Sequence, residues 1–198
     1  MAKANLNPSN ERLTEQLLNE PYCRRDYSLK IYEAKFQLDL VREVQQREGH
    51  FIWYDFCCGG FYAGRDFLKG HHGQTDNLRI VGVDVIKPLA LDPPLIFEKA
   101  NAASYQLRES PDLITCHNGL KYIEKYFKNT NQVIQQWHEA LKQGGTLAFN
   151  AYGEALAERL EEQLGEQAVV RRETLNNGCV HFIARIVKRK TLELVLSD

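Results

Sequence analysis

The stretch that most constrains the fold runs from Phe51 to Gly64, where a short apolar run stops at a carboxylate and glycines follow at once. Bulky apolar and aromatic side chains pack well on the pleated surface of a buried strand, so the run that starts at Phe51 and stops at Asp55 predicts one. Gly59 and Gly60 come directly afterwards, and a residue without a Cβ lets the backbone turn tightly and approach a ligand closely. A strand with such a turn is typical of a nucleotide-type cofactor loop at the carboxyl end of a parallel strand.

The composition limits the classes of protein to which the chain can belong. With 198 residues, 43% of them hydrophobic, the chain can bury one sizeable core, so we expect a single domain. The 25 lysine and arginine residues nearly balance 26 acidic ones, which gives no field that would attract nucleic acid or an anionic membrane. The odd number of cysteines, 5, does not suggest a disulfide framework, and no apolar run is long enough to span a bilayer. Since the polar N-terminus also lacks a hydrophobic signal segment, we predict a cytoplasmic protein.

Strand and helix patterns alternate along the chain after this opening strand. The predicted later strands cover residues 78–85, 95–99, 112–116, 146–151, 168–174 and 180–187. The predicted helices cover residues 11–19, 65–69, 130–142 and 154–164, together with a long one from Asp26 or Ser28 to Gly49. Between the last two strands, Asn176-Asn177-Gly178 is a strong hairpin signal.

This alternation predicts a doubly wound α/β fold with a mostly parallel seven-stranded sheet. Residues 49–190 would form that core, and the C-terminal hairpin would place an antiparallel strand at one edge. Residues 1–48 would form an N-terminal helical lid over the sheet, so that one domain spans residues 1–198.

Polar or glycine residues follow four of the predicted strands, at the point where each strand ends. They are Asp55 with its glycine turn, Asp84, Asn101 and the pair His117–Asn118. In open parallel sheets, ligands bind beyond the carboxyl ends of the strands. Because these ends meet at one edge of the sheet, we expect the four groups to surround one ligand.

The residue types suggest how that ligand would be held. At the end of the second strand, the Asp84 carboxylate can accept two hydrogen bonds from vicinal ribose hydroxyls, unless it is simply a solvated turn residue. Asp55 would hold the N–H groups of the turn or a ligand ammonium group, or it would only stabilise the turn. Asn101 can donate and accept at an adenine edge, and the next backbone N–H, that of Ala102, can reach a ring nitrogen.

The glycine spacing decides between classes of cofactor. A dinucleotide loop reads G-x-G-x-x-G, with three glycines under a pyrophosphate. The glycines here are Gly59, Gly60 and Gly64, so that spacing is absent, and no G-x-x-x-x-G-K-[ST] phosphate loop occurs either. A ligand that contains adenosine but no phosphates fits this loop better.

Five segments, taken in their order along the chain, indicate a known family. They are residues 54–60 at the first turn, 81–84 at the end of the second strand, 100–102, 111–123 around the fourth strand, and 140–149 before the fifth. In this order they resemble the class I S-adenosylmethionine-dependent methyltransferases, and the likeness covers residues 49–187. The resemblance implies a Rossmann-like fold, S-adenosyl-L-methionine as the cofactor and in-line methyl transfer as the reaction.

The resemblance also implies roles for individual residues. The cofactor would be bound by residues at all four strand ends, namely Asp55, Cys57, Gly59, Gly60, Asp84, Val85, Asn101, Ala102 and His117. Catalysis would involve His117 and Asn118, which would touch the methyl region or hold the substrate, and no metal is expected. His117 could act as a base near neutral pH, or it could merely form a hydrogen bond beside the cofactor.

Two positions depart from the family pattern. Where the family places Gly-x-Gly-x-Gly after the first Asp, this chain has Cys57, Gly59 and Phe61. We expect the Phe61 ring to crowd the methionine part of the cofactor unless the loop bulges or the ring turns away. The usual Asp at the adenine edge is Asn101, which keeps the hydrogen bonding and loses the charge. An alternative function is therefore a non-catalytic adenosine-ligand-binding or interaction domain.

The methyl acceptor is predicted to be a small molecule or a peptide side chain, because no large insertion supplies a separate substrate domain. Nucleic acid is not an expected partner, and the oligomeric state stays open. The His71–His72 loop is typical of a solvated turn rather than a metal site. A basic cluster is either a solvated edge or a contact for an anionic substrate; it contains Arg171, Arg172, Arg185, Lys188, Arg189 and Lys190.

Overall fold

The structure, a computed structural model, describes residues 28–47, 49–70, 77–85, 91 and 93–188. The strands in these ranges are β1 (Phe51–Phe56), β2 (Leu78–Asp84), β3 (Leu95–Lys99), β4 (Leu113–Cys116), β5 (Thr146–Tyr152), β6 (Ala168–Thr174) and β7 (Val180–Val187). The α-helices are α1 (Leu29–Phe36), α2 (Leu40–Gln45), α3 (Tyr62–Gly70), α4 (Leu120–Phe127), α5 (Thr130–Ala140) and α6 (Glu154–Leu164). Short 3₁₀ turns cover Ala102–Ser104 and Gly165–Gln167.

The seven described strands form one sheet in the order β3-β2-β1-β4-β5-β7-β6. Strands β1 to β5 are parallel, and the winding reverses between β1 and β4, so the carboxyl ends of these two strands open at the same edge. Strand β7 runs antiparallel to both β5 and β6. The predicted Rossmann-like, mostly parallel α/β fold is confirmed. The antiparallel strand is next to the edge strand rather than at the edge, however, because β7, the second strand of the hairpin, lies between β5 and β6.

Strand β1 is buried on both faces, as expected for the central strand of a parallel sheet. Successive side chains point to opposite faces, so Trp53 packs edge-on against Phe67 of α3 with ring centroids 6.3 Å apart. On the other face, the Phe56 ring stacks on Trp137 of α5, with a centroid distance of 4.5 Å and an interplanar angle of 8°. These contacts place a helical layer on each side of β1 and hold its carboxyl end in position.

The lid helices differ from the prediction. Instead of one long helix up to Gly49, α1 ends where Gln37 takes a left-handed conformation with φ 52°. Asp39 then begins α2, because its side chain accepts a hydrogen bond from the N–H of Arg42. The predicted helix over residues 11–19 lies outside the described residues. Helix α4, after the loop that follows β4, is an element that the sequence patterns do not predict.

The Phe61 ring points into the core. The side chain is 0% exposed and belongs to the apolar layer that contains Trp53 and Phe67. Two glycines make room for the ring, since a methyl group at Gly82 would lie 2.9 Å from Phe61 Cδ1, and one at Gly64 would lie 2.9 Å from Cε2. The ring therefore lies between β2 and α3 rather than beyond the strand ends.

We expect Gly82→Ala to lower the free energy of unfolding by about 1–3 kcal/mol, because the new methyl group overpacks the Phe61 ring. Gly70→Ala is the control, since nothing lies within 4 Å of a methyl group at Gly70 and alanine is the better helix former. Urea unfolding of both variants measures the difference. A Gly82→Ala variant as stable as the parent protein would contradict this packing.

Candidate functional site

The loop after β1 has an alternating left-handed backbone. Cys57, Gly59 and Phe61 have φ angles of 55°, 55° and 57°. A residue with a Cβ adopts this conformation at a cost of roughly 1–2 kcal/mol, which glycine largely avoids. These are the three positions at which the resembling family has glycine. The chain thus keeps the left-handed turns and places a thiol and a benzyl side chain on two of them.

A hydrogen bond between two strand ends holds this loop. Asp84, the last residue of β2, is 5% exposed, and its Oδ2 accepts a bond from the N–H of Gly59 at 2.8 Å. The N–H of Cys57 donates to the Val83 carbonyl at 2.8 Å, which extends the ladder by one residue. The bond to Gly59 therefore fixes the orientation of the Asp84 carboxylate beside the loop. Val85 follows directly and is half-buried.

The loop after β4 packs closely on the loop after β1. A methyl group at Gly119 would lie 2.5 Å from Cys57 Sγ and 2.6 Å from Cys116 Sγ, so the backbone there must be glycine. The hydrogen bond between the Cys57 and Cys116 thiols, together with burial, holds the pKa of Cys57 well above its usual range. A thiol that stays protonated suits packing better than redox chemistry.

Asp55 has a different partner from the one that we expected. It is 0% exposed, and it accepts hydrogen bonds from the Thr115 hydroxyl at 2.7 Å and from the Tyr32 hydroxyl at 3.1 Å. The loop N–H that reaches a carboxylate, that of Gly59, bonds to Asp84 instead. Burial raises the pKa of Asp55 to about 7, and the two hydroxyl donors oppose that rise. Asp55 thus fastens α1 to the end of β1.

Asn101 lies in the turn directly beyond β3. It is 8% exposed, and its Oδ1 accepts a hydrogen bond from the N–H of Ala103 at 2.9 Å. This bond caps the 3₁₀ turn that begins at Ala102, a position that suits asparagine. The N–H of Ala100 donates to the Asp84 carbonyl at 3.0 Å, so this turn is also tied to the end of β2.

His117, the first residue after β4, is 0% exposed and packs against α1. Its Nε2 accepts a hydrogen bond from Lys35 Nζ at 2.9 Å, and its ring contacts the Tyr32 ring edge-on at 5.1 Å. Burial, followed by the charge of Lys35 and the proximity of His181, lowers the pKa of His117 to about 2. The imidazole is therefore neutral at pH 7 but too weak a proton acceptor to suit a role as a base, which favours a role in hydrogen bonding.

Asn118 takes a left-handed conformation with φ 61° and is held by β5. Its N–H donates to Asn150 Oδ1 at 2.8 Å, and its Oδ1 accepts from Asn150 Nδ2 at 2.7 Å and from the Tyr152 hydroxyl at 2.9 Å. Sequence reasoning missed Asn150 and Tyr152. The sequence did contain a signal for Asn150, which lies within a mostly apolar strand. A buried amide must find hydrogen-bond partners, so polar neighbours were to be expected there.

The structure brings the predicted strand-end residues to one edge of the sheet and links them through the contacts given above. No group of three or more His, Cys, Asp or Glu side chains within the described ranges could hold a metal ion. His71 and His72 lie outside those ranges. None of the helices that the structure describes is long and apolar enough to cross a bilayer.

Comparison with solved structures identifies the fold. The N-methyltransferase NodS from Bradyrhizobium japonicum WM9, in complex with S-adenosyl-L-homocysteine, is similar over 93% of this chain and 100% of its own, with 17% identity and a TM-score of 0.57. The 1,6-didemethyltoxoflavin-N1-methyltransferase from Burkholderia thailandensis is similar over 96% of this chain and 94% of its own, with 13% identity and a TM-score of 0.55. Phosphoethanolamine N-methyltransferase 2 from Haemonchus contortus is similar over 93% of this chain and 61% of its own, with 13% identity and a TM-score of 0.58.

No family model and no curated protein matches the sequence. The structural likenesses nevertheless identify the fold, which is that of the class I S-adenosylmethionine-dependent methyltransferases. At identities of 17% and below, they show the fold alone.

The raised pKa of Asp55 predicts a pH-dependent stability. Asp55 binds its proton more tightly in the folded state than in the unfolded state. The contribution of this proton to the free energy of unfolding is therefore complete below pH 4 and is lost as the pH rises through about 7. Relative to Asp55→Asn, we expect the free energy of unfolding of the parent protein to fall by about 2–4 kcal/mol between pH 4 and pH 8. Tyr32→Phe removes a donor to the charged form and should enlarge this fall. Urea unfolding across this range measures it, and a pH-independent difference would refute the assignment.

Proposed function

We propose that the protein is an S-adenosylmethionine-dependent methyltransferase that methylates a small molecule or a peptide side chain. The observation that carries the proposal is the bond from Gly59 to Asp84, which places a buried carboxylate directly beside the left-handed loop. A carboxylate at this position is suited to the vicinal hydroxyls of a ribose. The Phe61 ring lies in the core, so it leaves the region beyond the strand ends to the ligand.

In this proposal, residues from three strand ends hold the cofactor. Asp84 and Val85 bind the ribose, and Asn101 and Ala102 contact the adenine. The backbone of the loop from Cys57 to Gly60 approaches the methionine part. Asp55 supports the site indirectly, because its hydrogen bond from Tyr32 holds the lid helix α1 against β1.

When bound, S-adenosyl-L-methionine supplies a methyl group on a sulfonium that is already activated for in-line displacement. The protein then has to align the acceptor and exclude water. His117 and Asn118 are neutral and firmly hydrogen-bonded, so they suit the alignment of an acceptor. The rings of Tyr32 and Phe36 pack on His117 and cover this end of the site.

The similar structures support this assignment through their own ligands. NodS was crystallised with S-adenosyl-L-homocysteine, and the 1,6-didemethyltoxoflavin-N1-methyltransferase with 1,6-didemethyltoxoflavin and S-adenosylhomocysteine. Each of the three is an N-methyltransferase. An acceptor of small size also agrees with the close cover that α1 forms over His117.

Calorimetric titration tests the proposed cofactor. We expect S-adenosylmethionine and S-adenosylhomocysteine each to bind in a one-to-one complex, and ATP and NAD to bind at least about tenfold more weakly, because the loop lacks the phosphate-binding glycine patterns. Absence of binding to both sulfur ligands would reject the proposal.

The Asp84 side chain allows a sharper test. We expect Asp84→Ala to raise the dissociation constant for S-adenosylhomocysteine by at least about tenfold, since hydrogen bonds to charged groups contribute about 1.5–3 kcal/mol each. Asp84→Asn keeps an acceptor for the Gly59 N–H and should have a smaller effect. Asp39→Ala, at the start of α2, is the control for loss of a carboxylate. Circular dichroism checks that each variant is folded, and an unchanged affinity of folded Asp84→Ala would refute the ribose assignment.

A further inference from the structure

Strand β6 forms one edge of the sheet that the structure describes. It pairs with β7 on one side, and on the other side its N–H and C=O groups meet no described strand. The pairing with β7 is continuous from Ala168 to Thr174 without a bulge, and the strand contains no proline. Bulges and prolines are features that keep an edge strand from pairing with another chain. The outer side of β6 can therefore accept a further strand.

Two exposed apolar side chains lie at opposite ends of this edge. Among the large apolar side chains of the described residues, Val169 and Leu175 are the exposed ones, at 58% and 37%. Val169 is the second residue of β6, and Leu175 follows the last one. Because side chains alternate along a strand, both lie on the same face of the sheet as Arg171 and Glu173. Apolar side chains beside unpaired backbone groups are typical of an edge that binds another strand.

The charged side chains of β6 are arranged around its centre. Arg171 Nε lies 2.9 Å from Glu173 Oε1, and these two side chains are 40% and 42% exposed. Arg172, between them, points to the other face and forms ion pairs with Glu154 and Glu161 of α6, so its charge is compensated within the chain. On the first face the edge thus presents an apolar group, a cation, an anion and an apolar group in turn. Such an order is complementary to itself when the strand is reversed.

We propose that β6 pairs with β6 of a second copy of this chain, antiparallel and centred on Arg172, so that the two sheets form one continuous sheet. A two-fold axis at Arg172 places Arg171 opposite the partner's Glu173. The same axis places Val169 opposite the partner's Leu175. Opposite charges and apolar pairs that face each other across two strands stabilise the pairing, and the symmetry produces each of these pairs twice.

The neighbouring registers lack this complementarity. With the axis at Arg171, the apolar Val169 would face the partner's Glu173. With the axis at Glu173, the apolar Leu175 would face the partner's Arg171. In each case an apolar side chain opposes a charge, and a residue whose charge is exposed opposes itself, which destabilises a strand pair. The register centred on Arg172 is therefore the one that the side chains favour.

Sedimentation equilibrium of the 198-residue chain and its charge-reversal variants tests the proposal. We expect a reversible dimer. Arg171→Glu and Glu173→Arg should each raise its dissociation constant at least about tenfold, because like charges then face each other at two places. The double variant with both changes restores opposite charges in the same register, so its dissociation constant should return to within about threefold of that of the parent protein. Circular dichroism checks that each variant is folded.

Two further variants separate the edge from general effects of charge and of folding. Val169→Lys changes an exposed side chain and should also raise the dissociation constant at least about tenfold, since lysine on an edge strand opposes pairing. Lys69→Glu, at an exposed position of α3, makes the same change in net charge as Arg171→Glu and should stay within about twofold of the parent protein. In hydrogen exchange, the amides of β6 that do not bond to β7 should become protected as the dimer forms.

Residues 189–198 of the same chain, which lie outside the described residues, are the competing occupant of this edge, because Leu192, Leu194 and Leu196 alternate in a strand-like pattern. Leu194→Asp should leave the dimer unchanged. A monomeric parent protein that dimerises only as Leu194→Asp would show that the chain covers its own edge, and the proposal would be wrong. A protein monomeric in every form, a double variant no tighter than the single ones, or equal weakening by Lys69→Glu would also overturn it.

Discussion

The hydrogen bond from the Gly59 N–H to the Asp84 carboxylate is the interaction on which the whole site depends. It joins the loop after β1 to the end of β2, and the neighbouring bond from Ala100 to the Asp84 carbonyl joins the turn after β3 to the same point. Three of the strand ends are therefore linked by hydrogen bonds. The fourth, the end of β4, is attached through the contact of Gly119 with Cys57. A ligand at this edge meets groups that are already held by one another, which limits the ordering that binding requires.

The loop achieves left-handed turns without glycine at two of three positions, and the surroundings explain how. At Phe61, the space for the ring is supplied by Gly64 and Gly82, because neither residue has a side chain. At Cys57, the space for the thiol is supplied by Gly119, against which the thiol packs. The backbone strain of a left-handed residue, about 1–2 kcal/mol, is of the same order as the gain from burying an aromatic ring, about 1.5–3 kcal/mol. Packing of the ring in the core thus offsets the unfavourable backbone.

The sequence patterns predicted much of this architecture, because strands of the sheet are short apolar runs with clear ends. Strands β3, β6 and β7 and helix α6 have the predicted bounds. The lid was predicted less well, since a left-handed residue at Gln37 is invisible to apolar periodicity. The partners of Asp55 and His117 could not be predicted either. Tyr32 and Lys35 reach them from a helix distant in sequence, and only the packing of α1 on the sheet brings them there.

A crystal structure of the protein grown with S-adenosylhomocysteine tests the central claim most directly. We predict that the ribose hydroxyls lie within hydrogen-bonding distance of Asp84, that the adenine lies beside Asn101 and Ala102, and that the Phe61 ring stays between Gly64 and Gly82. A ligand bound elsewhere, or an Asp84 side chain turned away from the ribose, would contradict it.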